Sequence, residues 1–404
     1  MIVHLPLRLS ALASMWVVWS LCYPVAAADW PQWRGAGRDG HVATLPKTLS
    51  EMKPLWKQPV AGTCDAGIGV AGGILVMADH DDTQDYYRCY AAADGKALWK
   101  RSFPNDREMD HGSGPRATPL FHKNKVYVLS AFGELYCFDL KTGNTVWQEI
   151  LTKEFGVKRV PNWGYCGSLL VADGKLIVNP GGKAAVVAMR PETGEVVWQG
   201  EGGQPNYSSF IAGRFGGVEQ VVGYDATSLG GWELPTGKRL WTLDVETGHG
   251  YIVPTPLAVG DKLLIADGNN QAQLFAFDQD GKIRETPVAR NKDLAPEIST
   301  PVSAGDMILG QAEKLVCVDA AGGLKTLWVQ ETENAFRNDC HLILAEDRAL
   351  AMNSKGVLVL FQFDRQGMKV LGKKTICKKT LMHPTVVDGR LYVRDSNSLY
   401  CYEL

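Results

Sequence analysis

The chain has no excess of charge of either sign. Its 404 residues carry 42 lysines and arginines against 44 aspartates and glutamates, a formal charge of -2. No cationic cluster stands out, which argues against a nucleic-acid partner, because phosphate binding needs concentrated positive charge. Cysteine chemistry is equally sparse. No two of the nine cysteines are adjacent and no Cys-x-x-Cys occurs, so a zinc site is not expected. Beyond residue 28 there is no apolar run long enough to span a bilayer.

What is present points to short strands and tight turns: 43 glycines, 20 prolines and 12 tryptophans. The length exceeds what one hydrophobic core usually supports, roughly 250–300 residues. Two domains or a repeat architecture are therefore the choices. Residues 1–28 read as a secretory signal peptide: Arg8, an apolar stretch from Leu9 to about Val25, then Ala26-Ala27-Ala28 as the cleavage site. A membrane anchor and a lipoprotein on Cys22 are the alternatives; the residues before Cys22, Trp19-Ser20-Leu21, are not the small ones lipidation favours. A periplasmic or secreted monomer is expected.

A repeat organises the remainder. ATPLFHKNKVYVLSAFGELYCFDLKTGNTVW (117–147) and YCGSLLVADGKLIVNPGGKAAVVAMRPETGEVVW (165–198) share one pattern: three apolar strands separated by Gly/Asn turns, a Thr-Gly turn, then Trp. Related units fill 67–99, 208–241, 255–283, 300–328 and 341–371. Spacings between the tryptophans Trp56, Trp99, Trp147, Trp198 and Trp241 run from 43 to 51 residues, and Trp328 follows 87 residues later, two units on, with the intervening Trp replaced near Ile283. The final unit (384–404) lacks its fourth strand, and an unused Leu55-Trp56 lies at the start. One four-stranded sheet cannot bury both its faces, whereas radially stacked sheets bury them against neighbours. The expectation is an all-β, eight-bladed propeller of four-stranded blades over 54–404, closed by the N-terminal strand and preceded by a leader over 29–53.

The pattern Asp139-x-x-Thr142-Gly143-x-x-x-Trp147 resembles the tryptophan-docking motif of quinoprotein-dehydrogenase-like (pyrroloquinoline-quinone-like, PQQ-like) propellers. Echoes are Thr193-Gly194 with Trp198, Thr236-Gly237 with Trp241, and Asp94-Gly95 with Trp99. The resemblance implies that Trp56, Trp99, Trp147, Trp198, Trp241 and Trp328 dock blade to blade. The opening Trp30-Pro31-Gln32-Trp33-Arg34-Gly35, with Arg38-Asp39-Gly40, looks like the leader of exported bacterial propellers of this repeat type. The same repeat builds BamB-type outer-membrane assembly factors, which are not enzymes. No Trp-Asp dipeptide occurs, so the WD type is excluded. Quinoprotein alcohol dehydrogenases carry an adjacent Cys-Cys pair under the cofactor, and this chain has none.

Repeat alignment accounts for most other candidates. Cys89, Cys137, Cys317 and Cys401 fall at one third-strand position, where Cys serves as a small buried hydrophobe. Gly67-Ile68-Gly69-Val70-Ala71-Gly72 fits a dinucleotide fingerprint formally but opens a strand of a β-repeat, which is the wrong context. The acidic run Asp79–Asp85 reads as a solvated loop, with Ca²⁺ binding as the alternative. The first strands should line the central channel, starting near Ala66, Thr118, Ser168, Ser208, Thr255, Thr300, His341 and His383. Two neighbouring histidines stand among otherwise small residues. Loops at that end bring His111, Arg116, Asn162, Trp163, Tyr207, Tyr251 and Asp339. The candidate ligand site is this channel mouth: His341, His383, Asp339, Arg116, His111, Trp163 and Tyr207. Asp339 is expected to favour protonated imidazole. No catalytic constellation and no metal site can be placed. The expected function is a non-catalytic binding or assembly scaffold in the bacterial envelope, taking an envelope protein or a small molecule and needing no cofactor. The alternatives are a quinone-dependent oxidoreductase with PQQ and Ca²⁺, and a carbohydrate-binding module using exposed tryptophans.

Overall fold

The structure, a computed structural model, describes residues 29–49, 51–62, 64–247 and 251–404. The expected signal peptide lies outside these residues. Eight four-stranded antiparallel sheets form the blades of a propeller. Blade 1 runs outward from the channel through Gly69–Ala71, Ile74–His80, Gln84–Ala91 and Ala97–Pro104. Blades 2 to 7 begin at Leu120, Leu170, Ile211, Leu257, Val302 and Cys340. Blade 8 takes three strands from the C-terminus and its outer strand, Pro54–Pro59, from the start of the chain. There Trp56 faces Cys401 and Lys57 faces Tyr400 in antiparallel register. The last sheet is thereby completed by residues more than 330 positions away, and the ring closes.

The Leu-Trp signature is a β-bulge. In blade 1, Trp99 pairs with Cys89 and Ala97 with Tyr90, so Leu98 is the extra residue. The same register shift recurs beside Trp56, Trp147, Trp198, Trp241 and Trp328. A bulge adds local twist and re-aims side chains. It turns the indole inward while Leu55, Leu98, Val146 and Val197 project into solvent. Five of these six indoles then donate directly to the next blade. Trp99 Nε1–H donates to Leu140 O at 2.9 Å, Trp147 to Pro191 O at 2.9 Å and Trp198 to Leu234 O at 3.1 Å. Trp56 reaches Ala92 O at 3.1 Å and Trp328 reaches Asp364 O at 2.8 Å. The turn glycine of that neighbour lies under the ring: a Cβ on Gly143, at φ +68°, would sit 2.5 Å from Trp99.

Blade 5 departs from the pattern. Trp241 donates to the side chain of buried Gln220 at 2.7 Å, and Gln220 passes the link on to Gly281 O at 2.7 Å. Ile283 forms only an isolated bridge with Phe277, and the outer strand starts later, at Ala289.

The acidic run is not a solvated loop. Asp79 and Asp85 are buried at strand ends. Asp79 accepts from Arg88 Nε at 3.0 Å and from the Ala61 N–H at 2.6 Å, with Arg394 Nη2 at 3.5 Å. Asp85 lies 2.8 Å from His80 Nδ1. Only the turn, with Asp81 and Asp82, meets solvent freely or in part. The carboxylates anchor the segment between the ring-closing strand and blade 1.

The leader pairs with the inner strands of several blades. Trp30 pairs with Val70 of blade 1 at 2.7 and 2.9 Å, and Pro31 O accepts from Phe121 of blade 2. Gly40 and Val42 pair with Leu344 of blade 7. Arg38 Nη1 donates to Leu169 O at 2.7 Å, and its Nη2 to Ser168 O at 3.2 Å and Phe210 O at 3.0 Å. One short segment thus binds inner strands around most of the ring.

Candidate functional site

Where eight inner strands converge there is room only for small side chains, and a hydroxyl there can also satisfy a neighbour's backbone. Four consecutive blades, 3 to 6, supply such a hydroxyl. The N–H of Thr118 donates to Ser168 Oγ at 3.2 Å, Ser168 to Ser209 Oγ at 3.0 Å, Ser209 to Thr255 Oγ1 at 3.0 Å, and Thr255 to Thr300 Oγ1 at 3.0 Å. Blade 4 uses Ser209 rather than the expected Ser208, whose hydroxyl is buried without a partner among the described residues. In blade 1 Gly67, not Ala66, reaches the channel, because the Thr118 hydroxyl occupies the space its Cβ would need.

Blades 7 and 8 replace the hydroxyl with imidazole. His341 and His383 lie 5.1 Å apart, and His383 is 5.9 Å from the Trp30 ring. His341 Nε2–H donates to Leu381 O at 2.9 Å and His383 Nδ1–H to Pro384 O at 2.8 Å. Burial lowers the pKa of both rings. For His383 the drop is deep, with His341 and Arg34 adding to it. Asp339 acts on His341 in the opposite sense but is the smallest influence. Asp339 thus favours the protonated ring as expected, but desolvation outweighs it and the net shift is downward.

The leader supplies the floor. Trp33 lies between two guanidiniums, with Arg34 and Arg38 each 5.4 Å from its ring centre. Both arginines take positive φ, 60° and 55°, in the left-handed region that non-glycine residues seldom occupy. Both are buried, and burial lowers Arg34 to about 10 and Arg38 to about 9. At neutral pH they remain cations.

The opposite wall is aromatic. Trp163 packs 4.9 Å from Tyr207, 4.7 Å from Tyr251 and 5.6 Å from His111, the last edge-on. His111 also takes a left-handed backbone, φ 63°. Arg116 is held by Asp65 at 3.3 Å and by the carbonyls of Asp110 and Gly112 at 3.0 and 2.6 Å. Burial raises the Asp65 carboxyl, with Arg116 opposing.

These surfaces enclose a cavity of about 450 Å³. His341, His383, Asp339, Arg116, His111, Trp163 and Tyr207 all line it, together with Tyr251. Asn162 does not. Trp33, Arg34, Asp65, Cys166 and Glu297 line it as well; the repeat alignment did not single them out for the site. Arg34 and Trp33 lie outside the repeat, so blade periodicity could not place them. Their signal was two arginines each set beside glycine in the leader.

Residues 47–223 and 216–404 each match the family described as outer membrane protein assembly factor BamB. The chain belongs to this BamB-type PQQ-repeat propeller family. The fold agrees with BamB from Moraxella catarrhalis, at 16% identity and a TM-score of 0.61 over 87% of this chain and all of that one. It agrees equally with quinohemoprotein alcohol dehydrogenase from Comamonas testosteroni, at 14% identity and a TM-score of 0.64 over 93% of this chain and 80% of that one. In sequence the chain is similar to lupanine 17-hydroxylase [cytochrome c] of a Pseudomonas species, 27% identical over 33% of this chain. It spans only 21% of that relative's length.

The dehydrogenase relatives raise a quinone with a metal ion, and the cavity residues do not fit that pair. Cys166 lines the cavity without a neighbouring cysteine, its thiol pushed up to about 12 by burial. Among the described residues no three or more of His, Cys, Asp and Glu are grouped to hold a metal ion. No helix among them is long and apolar enough to cross a membrane.

Proposed function

We propose that this BamB-type propeller is an exported, non-catalytic binding protein of the bacterial envelope. Its ligand, or a loop of an envelope partner, enters the cavity at the channel mouth. The observation that carries this reading is the cavity itself. Trp33 and Arg34 of the leader help line it, and its volume of about 450 Å³ is within the range of small-molecule sites. The signal pattern of residues 1–28 supports export. Catalysis finds less support. Nucleophilic chemistry needs an activated nucleophile beside an oriented base. Burial keeps the Cys166 thiol protonated, and His341 and His383 each commit one ring nitrogen to a backbone carbonyl.

The test is ligand-observed NMR with a chemically mixed fragment library on wild type and Trp163→Ala. The expected result is a set of binders lost in the variant. A library without cavity binders, or binders indifferent to Trp163→Ala, would overturn the reading. Turnover of alcohols with added quinone and Ca²⁺ would do the same.

A further inference from the structure

Arg34 is 2% exposed, lines the cavity and is poorly satisfied. A guanidinium has five N–H donors. Nη2 donates to Asp39 O at 3.1 Å and Pro301 O at 2.9 Å. Nε is buried with no acceptor among the described residues, and no protein acceptor is found there for Nη1. Arg116 pairs with Asp65, whereas among the described residues no carboxylate lies within ion-pair distance of Arg34; the exposed Asp39 acts on its charge from farther off. A buried cation so incompletely paired is costly. A backbone in the left-handed region holds the side chain there. Strain of this kind persists only where surrounding structure enforces it.

The neighbours of Arg34 point the same way. His341 and His383 both feel its charge. His341 is held by one backbone carbonyl, that of Leu381, whereas His383 is held by Pro384 O and influenced by the Leu342 backbone as well. Trp163 and Tyr251 line the same cavity and pack on one another at 4.7 Å. Of the carboxylates, Asp65 is tied to Arg116, Glu297 is exposed and Asp339 is half-buried. The charge is therefore graded, with a cation at the depth and acids towards the solvent.

Resting on the binding role proposed above, we infer that the cavity takes an organic anion head-first, its oxyanion on Arg34 and its planar apolar body against Trp163 and Tyr251. Charge-assisted hydrogen bonds in a water-poor site supply the selectivity, and the aromatic wall supplies contact area.

The probe is naphthalene-2-carboxylate, with the neutral alcohol of the same skeleton, 2-naphthalenemethanol, as control, in titration calorimetry. The acid is expected to bind at least about tenfold more tightly, the effect of one charged hydrogen bond. Arg34→Gln should abolish that preference while leaving the alcohol's affinity unchanged. Because Arg34 also ties the leader to Pro301, Arg34→Lys is measured beside it. Lysine keeps the charge and should retain part of the preference. Inorganic phosphate titrated alone should bind only weakly; an affinity equal to that of naphthalene-2-carboxylate would overturn the aromatic part of the assignment. Equal affinity for acid and alcohol would refute the anion site. If the alcohol binding is still lost in Trp163→Ala, the binding role itself survives that refutation. Binding of neither probe, with no cavity binder in the fragment library, would sink both.

Discussion

The contact between a turn glycine and the tryptophan of the preceding blade can be isolated with two alanine substitutions. Gly143 and Gly174 have nearly the same backbone, φ +68° and +67°. A Cβ on Gly174 meets nothing within 4 Å, whereas one on Gly143 would lie 2.5 Å from Cδ2 of Trp99. Alanine at either site costs about 1–2 kcal/mol for the left-handed conformation. At Gly143 the indole must also move. Overpacking adds about 1–3 kcal/mol. If the Trp99 bond to Leu140 O is lost, about 0.5–1.5 kcal/mol follows. The expected totals are about 1–2 kcal/mol for Gly174→Ala and about 2–5 kcal/mol for Gly143→Ala, rising to about 2.5–6.5 kcal/mol if the Trp99 bond is lost. Urea unfolding followed by circular dichroism reads the difference. Adding Trp99→Ala removes the clash, so Gly143→Ala should cost about as little as Gly174→Ala in that background. Equal destabilisation of the two single variants, or full additivity with Trp99→Ala, would refute the docking mechanism.

Two further outcomes are expected. Arg394→Ala removes the cation 3.5 Å from buried Asp79 and the bond to Ala78 O at 2.7 Å. Breaking a buried pair costs about 3–5 kcal/mol, and because Arg88 still holds Asp79 the lower end is expected; a change in urea midpoint no larger than that of a surface Arg→Ala would contradict the anchoring role. For His341 and His383 the folded pKa lies below the unfolded value of about 6.5. The unfolded chain therefore binds more protons, and their contribution is complete above pH 6.5 and lost as pH falls below it. The urea midpoint should drop between pH 7 and 5.5, and drop less in His383→Asn. Identical pH slopes in the two proteins would show that the histidine does not carry the effect.

The ring was legible because its determinants repeat. Gly143 and Trp147 recur at fixed spacing, and the missing strand after Leu404 matched the surplus Leu55-Trp56. The channel mouth followed from aligning blades, which brought His341 beside His383 before any coordinates. The failures have local causes. Ser208 and Ser209 are chemically alike, so the alignment could not choose the one that latches. Asp79 and Asp85 look solvated in a run of acids, yet their partners Arg394 and Asn105 lie 315 and 20 residues away. The imidazole pKa depends on burial, which depends in turn on Trp30 and Arg34. Those residues sit outside any repeat, and no period tells where a unique segment will dock.

That docking sets an order of assembly. The leader needs Leu169 and Phe210 for Arg38, Pro301 for Arg34 and Leu344 for Gly40. The next strand, Pro54–Pro59, needs Ser398–Glu403. The leader and Pro54–Pro59 thus depend on partners spread over almost the whole described chain. Pairings of such long sequence separation form slowly. Until they form, an open ring presents the bare edge of Ser398–Glu403. The dangerous interval in the life of this protein is therefore the one after its eighth blade appears and before Pro54–Pro59 returns to it.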